Sequence, residues 1–157
     1  MKLEVWCIGK NSQKYLDEGI NHYLLKIKHY IPFDYLELNE SKTNRSSDKE
    51  KSLQLQAELI LKKIQPEDVL ILLDEHGEKY TSREFSRLLN KLMISSTKRV
   101  IFLIGGAFGF HHSLLKRSKD KISLSKMTFS HDMVRLFVLE QIYRGFTILK
   151  NEPYHND

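Results

Sequence analysis

Apolar residues along this chain recur at two spacings, one typical of buried strands and one typical of helices. Short apolar or alternating runs predict strands at Lys2–Ile8, Phe33–Leu38, residues 69–73 and Arg99–Ile104. Between them, apolar residues return every three or four positions, which predicts helices that start near Asn11 or Ser12, at a capping box from Ser47 and at a capping box from Thr81. The alternation, uninterrupted by a repeat or a linker, predicts one α/β domain over residues 1–157. We expect a mostly parallel sheet with helices on both faces.

Polar or glycine-rich turns follow the two most apolar strands, at residues 74–77 and 105–110. Ligands of parallel α/β sheets bind at the carboxyl ends of the strands, so these turns are candidates for one pocket. The spacing of Gly105, Gly106 and Gly109 matches neither a dinucleotide-binding nor a phosphate-binding loop. A plain turn between strand and helix is the alternative interpretation.

The helix predicted after His131 carries apolar residues around most of its circumference. Such a helix needs cover on two sides, either inside the domain or from a second copy of the chain, and we favour a homodimer contact. Arg135 and Arg144 interrupt the apolar pattern. They either pair with acidic side chains or face an anion at a dimer cleft.

Composition narrows the class of protein. With 41% hydrophobic and 29% charged residues, the chain is typical of a soluble globular protein. No apolar run approaches the roughly 20 residues that cross a bilayer, and the amino terminus lacks a secretory pattern, so we expect a cytoplasmic protein with no membrane partner. The net charge of +5 is compatible with a polyanionic partner but does not identify one.

The cysteine and histidine pattern predicts no metal site. Cys7 is the only cysteine and lies within a strand pattern, as expected of a core residue. His111 and His112 are adjacent, and on a helix they would point in different directions. His131 and His155 have no cysteine or paired carboxylate at ligand spacing.

The last third of the chain contains several motifs in a distinctive order: Leu103-Ile104-Gly105-Gly106 with Gly109, Leu124-Ser125-Lys126-Met127-Thr128-Phe129 with His131, then Arg135, Glu140-Gln141-Ile142-Tyr143-Arg144 and Pro153-Tyr154-His155. In these motifs, in its first strand and in the Leu73-Asp74 turn, the chain resembles the ribosomal RNA large-subunit methyltransferase H family. Members are SPOUT-class enzymes. The resemblance therefore implies an α/β fold with a carboxyl-terminal trefoil knot, an exception to the rule that chains are unknotted.

The resemblance also implies an activity and its residues. It implies a homodimer that uses S-adenosylmethionine to methylate N3 of a pseudouridine in large-subunit (23S) ribosomal RNA on the assembled ribosome. By position in the motifs, the cofactor would be bound by Leu73, Gly105, Leu124, Ser125, Lys126, Met127, Thr128 and Phe129. Arg144, Tyr154 and His155 would be the catalytic residues beside the reacting base, across the dimer interface.

The residue types suit this chemistry, which needs alignment of the reactants and no metal. We expect His155 to accept the N3 proton, since histidine exchanges protons near neutral pH, and Arg144 to hold a phosphate or the developing imide anion. One alternative is a SPOUT enzyme acting on transfer RNA, which the lack of an appended RNA-binding domain disfavours. The other is a non-catalytic ribosome- or RNA-binding protein that retains the knot.

The chain departs from the common family pattern at Phe108, Ser130, Asp132 and Gly145. The Ser130 hydroxyl can cap the helix that follows it. Gly145 lowers helix propensity by about 1 kcal/mol relative to alanine, which indicates a bend or close packing at that position.

Overall fold

Strands and helices alternate through the part of the chain that the computed structural model describes, residues 1–39 and 49–156. The strands are β1 (Lys2–Ile8), β2 (Phe33–Leu38), β3 (Val69–Lys79), β4 (Arg99–Ile104) and β5 (Asp120–Ser123). The helices are α1 (Lys14–Ile27), α2 (Lys49–Leu61), α3 (Ser82–Ile94), α4 (His112–Arg117) and α5 (His131–Leu149). The predicted capping box begins at Ser47, outside the described residues. The sequence also predicts a polar loop over residues 39–47, and nearly all of it lies outside the described residues.

The strands form one sheet in the order β2-β1-β4-β3-β5. Each neighbouring pair is parallel, with Leu3 opposite Phe33 and Val100, and Val100 in turn opposite Val69. The predicted α/β class with a parallel sheet is confirmed. Because β3, β4 and β5 are adjacent and parallel, their carboxyl ends meet at the same edge of the sheet.

Helices cover both faces of the sheet, as predicted. One hydrophobic cluster joins α1, α3 and α5 to one face, and a second joins α2 and α4 to the other. The alternation predicted for β1 is visible here, since Val5 belongs to the first cluster and Trp6 to the second. Cys7 is a buried core residue, and burial raises the pKa of its thiol to about 11.

Helix α5 lies between α1 and α3, so the chain itself covers most of its apolar circumference. No residue of α5 is fully exposed. Burial within the domain therefore largely explains why apolar residues surround α5, and this pattern alone does not establish a dimer. None of the helices in residues 1–39 and 49–156 has the length and apolarity needed to cross a membrane.

Strand β3 is longer than the sequence predicts. It pairs with β5 at Leu73, is interrupted by an irregularity, and pairs again at Glu78. The predicted turn at residues 74–77 is therefore a bulge inside the strand. A Cβ atom at Gly77 would lie 2.6 Å from backbone atoms of Ile122, so only glycine permits this approach of two backbones. Strand β5 has one apolar residue, Ile122, between charged and polar neighbours, which is why periodicity does not reveal it.

The helix starts depend on local hydrogen bonds. The Thr81 capping box is confirmed, because its side chain accepts a hydrogen bond from the Glu84 N–H and Glu84 accepts one from the Thr81 N–H. The predicted cap at Asn11 or Ser12 is wrong: Gln13 precedes α1, and the Ser12 hydroxyl instead donates to Asp132. Ser130 does cap α5, accepting from the Met133 N–H over 3.4 Å.

Candidate functional site

A cavity of about 660 Å³ opens where the carboxyl ends of β3, β4 and β5 meet. This volume is within the range of small-molecule sites, about 300–1,000 Å³. Its walls come from the β3 bulge, the glycine loop after β4 and the segment after β5. The two polar turns predicted to share a pocket therefore meet in one.

The glycine loop forms one wall through its backbone. A Cβ atom at Gly105 would lie 3.0 Å from the ring of Phe110, so the absence of a side chain lets this ring close against the strand end. Gly109 has φ of 75°, which favours glycine, and its N–H donates to the carbonyl of Gly106 over 3.2 Å. The loop is thus a tight turn whose main chain faces the cavity.

Residues 124–129 form the opposite wall. The Ser123 hydroxyl donates to the Ser125 carbonyl over 2.9 Å, and the Ser125 hydroxyl accepts from the Met127 N–H over 2.9 Å. These two bonds hold the segment in a defined turn after β5. Among the eight predicted cofactor-binding residues, all but Lys126 line the cavity; the seven that do are Leu73, Gly105, Leu124, Ser125, Met127, Thr128 and Phe129. Lys126 is exposed and lies outside the lining.

Charged groups lie at one side of the cavity. Asp74 and Glu75 contribute carboxylates from the β3 bulge, and the His76 N–H donates to Asp74 over 2.8 Å, which orients that side chain. Lys49 also lines the cavity, and its ammonium is 4.8 Å from the centroid of the Phe108 ring. Carboxylates in such a position suit a ligand that carries hydroxyl groups or a positive charge.

The predicted catalytic residues form a second cluster, centred on Glu140 in the middle of α5. Arg144 donates to the Glu140 carboxylate, with a 2.9 Å bond from Nε, and Tyr154 donates to the same carboxylate over 3.1 Å. The Arg144 guanidinium also lies 4.7 Å from the centroid of the Tyr154 ring and 3.2 Å from Nδ1 of His155. Thus Arg144, Tyr154 and His155 do come together, around an acidic residue that the sequence analysis left without a role.

Electrostatics determine what each member of this cluster can do. The hydrogen bonds to Glu140 raise the pKa of Arg144, which stays a cation. Burial, followed by the interactions with Tyr23 and Glu140, raises the pKa of Tyr154, so that residue is a hydrogen-bond donor and not a base. Because a guanidinium only donates, Nδ1 of His155 accepts from it, and the neutral ring then carries its proton on Nε2.

The cluster is separate from the cavity lining of its own chain. His131 and Val134, in the first turn of α5, line the cavity, and Arg144 follows 13 and 10 residues later in the same helix. At 1.5 Å per residue, Arg144 lies about 15–20 Å from these two residues along the helix axis. None of Glu140, Arg144, Tyr154 and His155 lines the cavity.

Comparisons with known proteins show what this chain is similar to. A family described as "Predicted SPOUT methyltransferase" matches residues 1–155. A protein of Cytophaga hutchinsonii named "Ribosomal RNA large subunit methyltransferase H" is 51% identical over 157 residues, covering 99% of this chain and 100% of that protein. A protein of Parabacteroides distasonis with the same name is 46% identical over 157 residues and 100% of both chains.

The chain belongs to the ribosomal RNA large subunit methyltransferase H family of SPOUT methyltransferases. The resemblance seen in the sequence is confirmed, and membership implies the carboxyl-terminal trefoil knot and a methyl donor as cosubstrate. The fold is also that of a solved structure, a probable methylase family protein from Haemophilus influenzae, with a TM-score of 0.53 and 14% identity over 99% of this chain and 70% of that one.

Within this methyltransferase fold, Arg135 has a structural position. Its side chain is 1% exposed and donates to Glu37 over 3.0 Å and to the carbonyls of Ile8 and Gly9 over 3.2 and 3.1 Å. Its Nε lies 3.5 Å from the buried carboxylate of Asp132. Of the two alternatives for Arg135, pairing with acids is correct. Sequence reasoning did not identify Glu37, which lies 98 residues away.

Close packing explains Gly145. A Cβ atom at this position would lie 2.7 Å from Cδ1 of Leu89 and 3.7 Å from Cα of Ser86. The Ser86 hydroxyl also donates to the Gly145 carbonyl over 2.9 Å. Glycine therefore lets α5 approach α3 closely, which is one of the two explanations that its low helix propensity indicated.

The prediction that His111 and His112 point in different directions, because both lie on a helix, is wrong. His111 is not in the helix: it precedes α4 with extended backbone angles, φ −66° and ψ 149°, and accepts a hydrogen bond from the Ser113 N–H. Only His112 is helical. The two rings consequently converge, with centroids 4.0 Å apart, and Nε2 of His111 lies 3.3 Å from Glu50.

Proposed function

We propose that this chain is an S-adenosylmethionine-dependent methyltransferase that modifies N3 of a pseudouridine in 23S ribosomal RNA of the assembled large subunit. The observation that carries the proposal is the cavity at the ends of β3, β4 and β5, built from the motif residues that the family resemblance assigns to the cofactor. Relatives that are 51% and 46% identical over nearly the full chain bear the name ribosomal RNA large subunit methyltransferase H. The proposal treats residues 1–157 as one domain and places it with ribosomes, in the cytoplasm.

The cavity residues fit S-adenosylmethionine. Leu73, Leu124 and Ile104 offer apolar walls for an adenine ring, and the main chain of residues 105–107 offers hydrogen-bonding groups for its edge. Asp74 and Glu75 are acceptors for ribose hydroxyls and favour a nearby positive charge. When bound, S-adenosylmethionine supplies a methyl group already activated by a sulfonium centre.

A homodimer accounts for the distance between cavity and catalytic cluster. If the Glu140 cluster of one protomer faces the cavity of its partner, Arg144 no longer has to act across the roughly 15–20 Å of helix that separates it from the cavity lining of its own chain. Apolar side chains support such a contact near the cavity mouth. Met127 is 75% exposed and Phe129 is 37% exposed, and the Phe129 ring packs 5.0 Å from Phe137 on α5.

In this dimer, the cluster residues orient and deprotonate the base. Arg144, a permanent cation held by Glu140, stabilises negative charge on the pseudouridine imide or an adjacent phosphate. Tyr154 positions Arg144 through the shared carboxylate. His155 takes the N3 proton, which requires that its Nδ1 first leave the hydrogen bond with Arg144 or that the ring exchange tautomers.

Methylation of ribosomes that lack the modification tests the proposal. Purified protein, S-adenosylmethionine and these ribosomes should give N3-methylpseudouridine by nucleoside mass spectrometry, with naked ribosomal RNA a poor substrate. A methylated uridine or cytidine in transfer RNA would contradict it. A well-folded dimer that binds no S-adenosylmethionine in calorimetry would indicate a non-catalytic protein.

Mixing two inactive variants tests the shared site. Gly105→Val places a side chain against Phe110 and should abolish cofactor binding, whereas Arg144→Ala should bind cofactor and fail to methylate. Random mixing makes about half of the dimers heterodimers, and each heterodimer contains one intact site of two. About one quarter of the wild-type activity should therefore return. Mixtures as inactive as the separate variants would place both groups of residues in one chain.

The His155 assignment has its own test. His155→Ala should lower the single-turnover rate and remove its dependence on pH, while calorimetric binding of S-adenosylmethionine is unchanged. Single-turnover methylation equal to wild type at every pH would assign the proton acceptor elsewhere.

A further inference from the structure

Two histidines and a glutamate outside the proposed catalytic machinery converge on one point. His111, His112 and Glu50 each offer a ligand atom, and the three atoms lie within 4.8 Å of one another. They come from two elements far apart in sequence, the start of α2 and the start of α4. We propose that they form a binding site for one late first-row divalent cation, with Zn²⁺ as the representative ion.

The donor set suits such a cation. Two imidazole nitrogens and one carboxylate oxygen are ligands that Zn²⁺ accepts, with a fourth position left to water. Bonds of about 2.0–2.1 Å in tetrahedral geometry place ligand atoms about 3.3 Å apart. Nε2 of His111 and the nearest oxygen of Glu50 are 3.3 Å apart already. The other distances between ligand atoms must shorten on metal binding. The exposed side chains of His112 and Glu50 would make this change by rotation.

The buried ligand is oriented by a neighbouring hydroxyl. His111 is 8% exposed, and its Nδ1 lies 2.9 Å from Ser113 Oγ. In the metal-binding tautomer Nδ1 carries the proton and donates to Ser113 Oγ in place of accepting from the Ser113 N–H, and Nε2 presents its lone pair towards Glu50. A hydrogen-bonded partner behind a metal-binding histidine is the usual device for fixing its tautomer. In the other tautomer Nε2 carries the proton and bonds directly to Glu50, so metal binding and this direct contact exclude each other.

A bound cation would connect two walls of the main cavity. Lys49 lines the cavity directly before Glu50, and Phe110 lines it directly before His111. The metal would therefore join the start of α2 to the end of the glycine loop, behind the wall that faces the ligand. Its predicted effect is structural, on the stability of this wall, and it contributes no group to methyl transfer.

Titration of untagged protein with ZnCl₂ tests the site without measuring methylation. Calorimetry should give one equivalent per chain, and the Tm should rise by about 5–10 °C when Zn²⁺ is at about 100 times its Kd. Co²⁺ should give the visible absorption of a tetrahedral site. Absence of heat, Tm shift and absorption up to about 1 mM metal would overturn the proposal.

Variants separate this site from adventitious binding. His112→Ala and Glu50→Gln change exposed side chains and should leave the metal-free Tm unchanged, while each weakens Zn²⁺ binding about tenfold or more. Ser113→Ala should weaken it through the loss of His111 orientation. The control His29→Ala removes an exposed histidine from the turn after α1 and should bind as wild type. Equal affinity in the His112→Ala, Glu50→Gln double variant and the wild type would refute the site.

Discussion

Replacement of Arg135 by methionine tests whether this buried cation is structural. Arg135→Met keeps most of the side-chain volume and removes the charge, together with the hydrogen bonds to Glu37 and to the carbonyls of Ile8 and Gly9. It also leaves the carboxylate of Asp132, 3% exposed, without its nearest cation. Breaking one side of a buried ion pair costs about 3–5 kcal/mol, because the remaining charge stays desolvated.

We therefore expect the free energy of unfolding to fall by about 3–5 kcal/mol in urea denaturation. For a chain of 157 residues this corresponds to a decrease in Tm of about 6–20 °C. Asp132→Asn removes the stranded charge, so the Arg135→Met, Asp132→Asn double variant should be more stable than the sum of the single effects predicts, by about 1–3 kcal/mol.

The control is Arg87→Met, which removes an exposed arginine from α3 and should change stability by no more than about 0.5 kcal/mol. A loss below about 1 kcal/mol for Arg135→Met, combined with loss of RNA methylation by the folded protein, would refute the structural assignment. Arg135 would then be an anion-binding residue, the alternative that the sequence left open.

Three further substitutions test local features of the fold. Gly77→Ala should cost at least about 3 kcal/mol and weaken cofactor binding, because its Cβ meets the backbone of Ile122 at 2.6 Å; calorimetry and urea denaturation measure both effects. Burial alone raises the pKa of Asp68, but hydrogen bonds from Arg99 and a backbone N–H outweigh it and hold that pKa below its usual value. Asp68→Asn should accordingly destabilise the protein at neutral pH. The difference in stability from wild type should disappear as the pH falls below the pKa of an unfolded aspartate, about 3.9, and through the lower pKa of Asp68 in the folded protein. Thr81→Ala removes the cap of α3 and should cost about 1 kcal/mol by thermal denaturation.

Each of these three predictions can be contradicted by a specific result. Glu78→Ala, next to Gly77, keeps the backbone approach and should be nearly neutral, so an equal loss in both variants would contradict the steric explanation. For Asp68→Asn, a difference that grows towards low pH would reverse the sign expected from a lowered folded pKa. Wild-type stability of Thr81→Ala would show that tertiary packing alone defines the start of α3.

Local sequence determined most of the elements and the class of fold. Strands β1, β2 and β4 have the predicted bounds because each is a continuous or alternating apolar run, and burial on one or both faces of a sheet leaves that period in the sequence. The Thr81 cap and the glycine loop were also readable, because each depends on residues within a few positions of one another. Motif order identified the family, and seven of the eight residues that it predicts to bind the cofactor line one cavity.

Only the tertiary structure decided which distant residues meet. Arg135 reaches Glu37 across 98 residues, Gly77 touches the backbone of β5, and His111 faces Glu50. Hydrophobic periodicity shows which positions of a helix or strand face the core. It does not show which side chain of another element packs against them. The distance between the cavity and the Glu140 cluster depends on the same three-dimensional placement, because two motifs on one helix can act together only if the fold, or a second chain, brings them to one point.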